Sequence, residues 1–338
     1  MSVTRKDVAE KAGVSTATVS NVINETKYVS EELSQKVKKA IKELDYKPNM
    51  IAKSLKTKQS KQVAILIDDI TNPYFSEIIL GFESEAKKRG YITNIGIGNN
   101  STSEYFNDFL SRSIDGVFII VNTEDKVPFK KIKEMHENGT VIINTLENNP
   151  FKKYSSNIYV NYFDGMKKIF KHLIELGHKK IGFIDYIEPG LECNLSRYEG
   201  YKNCLDMYNL DYEQNRVVFG KPPYNSSYEE GYKYMKELIA RGTDITAVII
   251  INDYMATGAL TALKEENLAV PEDISLVSID NTIFSKITTP KLTSLNVDNK
   301  LNGVKAMELI DNMIKGNMEH TNIEVPTNLV IRGSTSKL

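Results

Sequence analysis

Two hydrophobic rhythms divide this chain. In the first 45 or so residues the apolar positions recur at helical spacing. From residue 62 onward, short continuous apolar runs alternate with longer amphipathic stretches. In the head, Val8, Ala9 and Ala12 share one face and Val19, Val22 and Ile23 a second. Leu33, Val37, Ala40, Ile41 and Leu44 form a third, spaced i, i+4, i+7, i+8, i+11. Thr4 followed three residues later by Asp7 reads as a capping box, and Gly13 as a stop where positive φ is cheap. Ser15 then caps a second helix, and Ser30, followed by Glu31 and Glu32, caps a third. The short glycine-bearing gap between the first two helices predicts a helix-turn-helix.

In the body, strand-like runs cover Val63 to Ile67, Ile92 to Ile97, Val117 to Val121 and Val141 to Ile143. The pattern resumes with Ile181 to Ile184, Val217 to Phe219, Ala247 to Ile251 and Ser275 to Ile279. Helical stretches lie between them, such as Pro73 to Arg89 with Phe75, Ile78, Ile79, Phe82 and Ala86 inward. Such alternation predicts parallel sheets covered by helices. Two runs of βα units predict two doubly wound subdomains, with a boundary near Ser155 to Asn161. The fold class is therefore an α-helical helix-turn-helix head joined to an α/β body, and 338 residues suit two or three domains.

Charge sharpens the division. Residues 1–61 hold 13 Lys and Arg against 7 Asp and Glu, a net +6, whereas the whole chain is −1, so the remainder carries −7. A basic head on an acidic body points to a polyanionic partner for the head. The longest apolar runs, such as Val117 to Val121, are far short of a membrane span. Met1 to Arg5 leads straight into charged helix without an apolar signal region, so a cytoplasmic protein with no membrane partner is expected. Cys193 and Cys204 have no metal-ligand partners at a usual spacing and read as reduced thiols.

A helix-turn-helix sets its second helix in the major groove. Thr16, Ala17 and Asn21 lie near the start or on the outer face of that helix. Asn can pair bidentately with adenine, and a Thr or Ala methyl can meet the thymine methyl. Ser15, Thr18 and Asn24 carry small polar groups suited to phosphates, and Thr4 joins this set. The alternative is a three-helix bundle that binds protein, with its Ser and Thr serving only as caps.

The segment from Thr4 to Asn24 (TRKDVAEKAGVSTATVSNVIN) resembles the head of the LacI/GalR family of bacterial transcriptional repressors. Tyr46 to Leu55 (YKPNMIAKSL) resembles that family's hinge, and the likeness continues to Arg332-Gly-Ser-Thr335. The hinge also has a physical reading: Pro48 can start a helix, Asn49 can cap, Ile51, Ala52 and Leu55 share a face, and the segment is too short to be stable alone. The resemblance implies that two such hinges pair in a homodimer and push Leu55 into the minor groove, where apolar wedges kink DNA. Asn49, Ala52 and Lys53 join the DNA-contacting set. Asn21 and Lys53 stand where the family commonly has Arg.

The resemblance also implies a periplasmic-binding-protein-like body whose chain crosses between subdomains three times. The domains are then 1–47 for DNA binding, 48–61 for hinge helix and linker, and 62–338 for effector binding and dimerisation. Subdomain N spans about 62–158 and 290–318, and subdomain C about 159–289 and 319–338. Arg197, Asn252 and Asp280 contact the effector, Tyr74 and Phe75 line the cleft, and Asp69 and Asn144 complete the set.

Most of these residues follow strand ends, where doubly wound sheets bind ligands. Carboxylates and amides match sugar hydroxyls, a guanidinium can fork across two of them, and an aromatic ring can stack on the sugar's C–H face. A sugar-controlled repressor is the reading preferred. A purine or nucleoside effector, or a protein corepressor, is the alternative, and a cytoplasmic sugar-binding protein is more distant. No GxSxG elbow, phosphate loop or metal-spaced His cluster marks an enzyme, and no cofactor is expected.

Overall fold

The computed structural model describes residues 3–24, 27–47, 54, 59–98, 102–121, 127–146, 149–189, 195–222 and 224–338. The chain divides into two compact units, Met1–Ser60 and Lys61–Leu338. The hinge residues Asn49, Ala52, Lys53 and Leu55 lie outside the described residues, as does Cys193.

The first unit holds α1 (Arg5–Ala12), α2 (Thr16–Asn24) and α3 (Glu31–Glu43) around a core of Val8, Ala9, Val19, Val37, Ala40 and Tyr46. The Thr4–Asp7 capping box forms, and Gly13 closes α1 at φ +65°, a conformation that costs glycine little. Ser15 Oγ accepts the Thr18 N–H at 3.1 Å at the start of α2. Ser30 occupies the cap position of α3, but its side chain makes no capping hydrogen bond, contrary to the expectation. The first-turn acids Glu31 and Glu32 remain to favour that helix start.

The second unit is built on two six-stranded sheets. One has the order β11-β5-β4-β3-β1-β2. It comprises β1 (Gln62–Ile67), β2 (Ile92–Ile97), β3 (Gly116–Ile120), β4 (Val141–Asn144), β5 (Ser156–Val160) and β11 (Asn322–Val325). The other has the order β12-β10-β9-β8-β6-β7. It comprises β6 (Ile181–Asp185), β7 (Val217–Phe219), β8 (Ala247–Ile250), β9 (Ser275–Asp280), β10 (Thr293–Val297) and β12 (Thr327–Val330). Central strands such as β3 and β8 are buried along their whole length, as their unbroken apolar runs require in a sheet covered on both faces. All pairings are parallel except β10 with β12, where the edge strand runs antiparallel.

The α-helices of the second unit, among the described residues, are α4 (Pro73–Lys88), α5 (Thr102–Ser111), α6 (Phe129–Glu137), α7 (Tyr162–Glu175), α8 (Leu195–Met207), α9 (Tyr228–Ala240), α10 (Asp253–Glu265), α11 (Ile283–Ile287) and α12 (Asn299–Ile314). The chain passes between the sheets after β5, after β10 and after β11. Asn161 caps α7 by accepting the Asp164 N–H at 3.1 Å, and Asp298 caps α12 by accepting the Leu301 N–H at 2.9 Å. At the third passage Pro326, which has no N–H to donate, separates β11 from β12.

These passages shift two of the expected boundaries. Strand β10 pairs with β9 in the second sheet, so the return to the first subdomain begins near 298 rather than 290. Strand β11 pairs with β5 in the first sheet, so the last passage falls at 326 rather than 319. In both places a short strand of mixed polarity completes a sheet edge or joins a buried ladder, and sequence pattern alone does not say which sheet takes it. Strand β5 was read only as a boundary region.

Candidate functional site

In the head, Thr16 and Ala17 are exposed on the first turn of α2, and Asn21 follows Ala17 by one turn on the same side. The other polar residues of this surface have partners within the head. The Ser15 and Thr18 hydroxyls lie 2.9 Å apart. Thr4 exchanges hydrogen bonds with Asp7, and Asn24 Nδ2 donates to the Ser20 carbonyl at 2.9 Å. Capping thus pre-sets the rotamers of Thr4, Ser15 and Thr18, while Thr16 and Ala17 present a small hydroxyl and methyl surface.

In the body, Tyr74, Phe75, Arg197, Asn252 and Asp280 converge on one cavity of about 60 Å³, with Asn72, Tyr162, Tyr186 and Ser226 completing its lining. Strand ends and helix starts deliver them. Asn72 caps α4, its Oδ1 accepting the Tyr74 N–H at 3.0 Å, which fixes the first turn that carries Tyr74 and Phe75. These two rings meet edge to face with centroids 5.0 Å apart. Arg197 sits in the first turn of α8, with its guanidinium carbon 5.2 Å from the ring centroid of Tyr162 and 6.0 Å from that of Tyr186. Asn252 caps α10, its Oδ1 accepting the Met255 N–H at 2.8 Å. The cap uses the carbonyl oxygen, so the amide N–H groups are the part of Asn252 suited to a ligand.

Asp280 ends β9 at φ +96°, and Asn281 follows at φ +53°, a left-handed pair that side chains other than glycine adopt at a cost. The turn is held by a carboxylate that does not line the cavity. Fully buried Asp253 accepts the Thr282 N–H at 2.6 Å and hydroxyl at 2.9 Å, the Ser278 hydroxyl at 2.5 Å and the Ser294 hydroxyl at 2.7 Å. Ser294 Oγ in turn accepts the Asn281 N–H at 3.0 Å. Burial pushes the Asp280 carboxyl well above the ordinary carboxylate value, the charges of Asp253 and Glu77 push it further, and Arg197 opposes them. Burial also raises the Tyr74 phenol, with Asp280 adding to the effect, so Tyr74 stays a neutral donor at neutral pH.

Two expected residues are not in the lining. Asp69 closes a local turn, its Oδ1 accepting the N–H and hydroxyl of Thr71 at 2.8 and 2.7 Å. Asn144 is buried at the end of β4, where its Nδ2 donates to Ser155 Oγ at 2.8 Å and its Oδ1 accepts the Leu146 N–H at 3.0 Å. Both amide ends of Asn144 are thus spent on its own sheet edge. Sequence reading missed Tyr162, Tyr186 and Ser226. Tyr186 follows the end of β6 directly and carried the same strand-end signal as Asn252. Asp253 shares the strand-end position of Asn252, but nothing in the sequence marks its bonds to Ser278, Thr282 and Ser294 behind the cavity wall.

Residues 4–49 match the family model of bacterial regulatory proteins of the lacI family, and residues 170–335 match a periplasmic binding protein-like domain. A HTH-type transcriptional repressor PurR from Histophilus somni is 33% identical over 342 residues, covering 99% of each chain. The lac repressor dimer bound to operator and the anti-inducer ONPF superposes with a TM-score of 0.83 at 25% identity, over 99% of this chain and 100% of that one. A transcriptional regulator CelR–cellobiose complex is 26% identical with a TM-score of 0.73, over 98% and 99% of the two chains. Among the described residues no helix is long and apolar enough to cross a membrane.

Proposed function

The chain belongs to the lacI family of bacterial regulatory proteins and is a DNA-binding transcriptional repressor with an effector-binding body, and from that premise we propose that its effector is a sugar held between the two α/β subdomains. The observation that carries this reading is the convergence of Arg197, Asn252 and Asp280 with Tyr74 and Phe75 around one cavity. Arg197 presents a planar fork of donors already braced by Tyr162, Asn252 offers amide donors, and Asp280 offers a carboxyl, a set suited to a polyol. The cavity of about 60 Å³ is well below the roughly 300–1,000 Å³ of ordinary ligand pockets, so a sugar enters only if the subdomains part about their three connections.

The same motion carries the signal. In a homodimer, a change in the angle between subdomains alters the separation of the two hinge segments, and a hinge helix too short to stand alone melts when its partner moves away. Leu55 is then withdrawn from the minor groove and operator is released. Thr16, Ala17 and Asn21 read base edges, and Ser15, Thr18 and Asn24 contact phosphates. This work takes place in the cytoplasm, where the DNA is.

Four aromatic rings around the cavity also fit a flat purine base, which is the rival effector. Calorimetric titration of the full chain with ribose, glucose, cellobiose, hypoxanthine and guanine separates the two, together with operator binding measured with and without each compound. A sugar that binds and shifts operator affinity supports the proposal. A base that does so while every sugar fails replaces it.

A further inference from the structure

Helix α12 begins where the chain returns from the second sheet, and its first residue does more than start a helix. Asn299 is 2% exposed, and its Nδ2 donates both to Glu77 Oε2 at 3.1 Å and to the Asp280 carbonyl oxygen at 3.3 Å. Glu77 lies one turn beyond Tyr74 on α4, while Asp280 belongs to the opposite wall of the cleft. One amide therefore joins the two walls.

Glu77 and Asn299 stand on two helices whose backbones pack in close contact. A Cβ on Gly81 of α4 would lie 2.0 Å from the Lys300 carbonyl oxygen, and one on Gly303 of α12 would lie 2.0 Å from the Ile78 carbonyl oxygen. Backbones this close leave α4 and α12 no room to slide. The bond from Asn299 to the Asp280 carbonyl thus adds a side-chain tie beside the backbone passage from β10 into α12, and fixes that pair of helices against the turn that follows β9. It ends on the residue whose backbone is already in the left-handed region. Among the described residues the Asn299 Oδ1 has no hydrogen-bond donor, so the hydrogen bonds seen for this buried amide run through its N–H groups.

We propose that Asn299 is a positioning residue: through one side-chain amide it fastens the turn carrying Asp280 to the helix carrying Tyr74, and so sets the gap between the walls of the cleft. Its functional meaning rests on that cleft being the effector site, but the spacing itself can be measured without any effector. The two ideas therefore fail separately.

The test uses the full chain with Cys193→Ser, leaving Cys204, whose thiol is pushed up by burial to about 11 and resists labelling. Glu83→Cys on α4 and Lys264→Cys on α10, both at exposed positions, carry spin labels. Labelled protein is diluted with unlabelled chain so that pairs within one protomer dominate. Pulsed dipolar spectroscopy then reads the distance across the cleft. Asn299→Asp keeps the shape but loses both donors and faces Glu77 with a second carboxylate. The expected result is a distance distribution shifted or broadened beyond its original width. Adding Glu77→Gln relieves the carboxylate pair and restores the contact to α4, but supplies no donor to the Asp280 carbonyl, so the distribution should stay shifted or broadened; a return to the original width would overturn the proposal. Asn302→Ala, one turn along α12 and equally buried but with no hydrogen bond to Glu77 or the Asp280 turn, controls for simple loosening of the helix. An unchanged distribution in Asn299→Asp, or an equal change in Asn302→Ala, overturns the proposal.

Discussion

The backbone N–H of Thr282 donates to Asp253 Oδ2 at 2.6 Å, and this bond pins the end of a turn whose first residue, Asp280, faces the cleft. Asp253 never reaches the cavity, yet it accepts four hydrogen bonds from the segments that shape it. An amide in its place can accept at only one oxygen and must point N–H groups at donors. Asp253→Asn is expected to cost about 2–4 kcal/mol of stability, since leaving a buried hydrogen-bond donor without its acceptor costs roughly 1–3 kcal/mol. Urea unfolding measures the loss. Effector affinity should fall with it, and a variant of wild-type stability would contradict the role assigned.

Asp280 should stabilise the fold when it is replaced. Its carboxyl is raised above the ordinary carboxylate value by burial and by Asp253 and Glu77. Below the ordinary value both folded and unfolded chains hold the proton, and ionisation costs nothing. Between that value and the raised one, the folded chain keeps a proton that the unfolded chain has released, so stability declines as pH rises. Above the raised value the loss is complete. Asp280→Asn removes this decline, so its stability advantage over the original chain should grow with rising pH and then level off. Denaturation midpoints across the acidic to neutral range test this, with effector binding weakened in the same variant.

Arg197→Ala and Leu55→Ala should separate sensing from DNA binding. The first removes the braced guanidinium from the cavity and should abolish the effector response while effector-free operator binding stays nearly intact. The second should weaken operator binding and leave effector affinity in the absence of DNA unchanged. Linkage adds a check: if effector lowers operator affinity, operator must lower effector affinity by the same factor. Release of operator from Arg197→Ala at the original effector concentration would sink the site assignment.

On DNA, Asn21→Ala should relax base preference at one position, at about 1–3 kcal/mol for a lost bidentate contact, while Thr18→Ala should weaken all sequences about evenly. Selection from randomised operators reads the first, and a filter-binding series on several sequences the second. The +6 head should also give steep salt dependence through counterion release. Identical sequence logos for the original chain and Asn21→Ala would refute the base-reading role.

The amino-acid sequence by itself determined the helix-turn-helix head and the two-sheet body, because both rest on local physics. Periodicity places Val8, Val19 and Val37 in one small core, Thr4 with Asp7 starts a helix, and short apolar runs such as Val117 to Val121, alternating with amphipathic stretches, read as strands buried on both faces. Much of the cavity lining was legible too, since strand ends deliver Asn252 and Asp280 to one side of a doubly wound sheet. Only the tertiary structure decided the sheet to which β10 and β11 belong, that Asn144 spends its amide on Ser155 and Leu146, and that Asp253 and Asn299 support a cavity they do not line. The physical reason is range. Helix caps and apolar periodicity act over three or four residues, whereas Asp253 meets Ser294 and Asn299 meets Glu77 across 41 and 222 positions of chain, contacts that exist only once both sheets have formed.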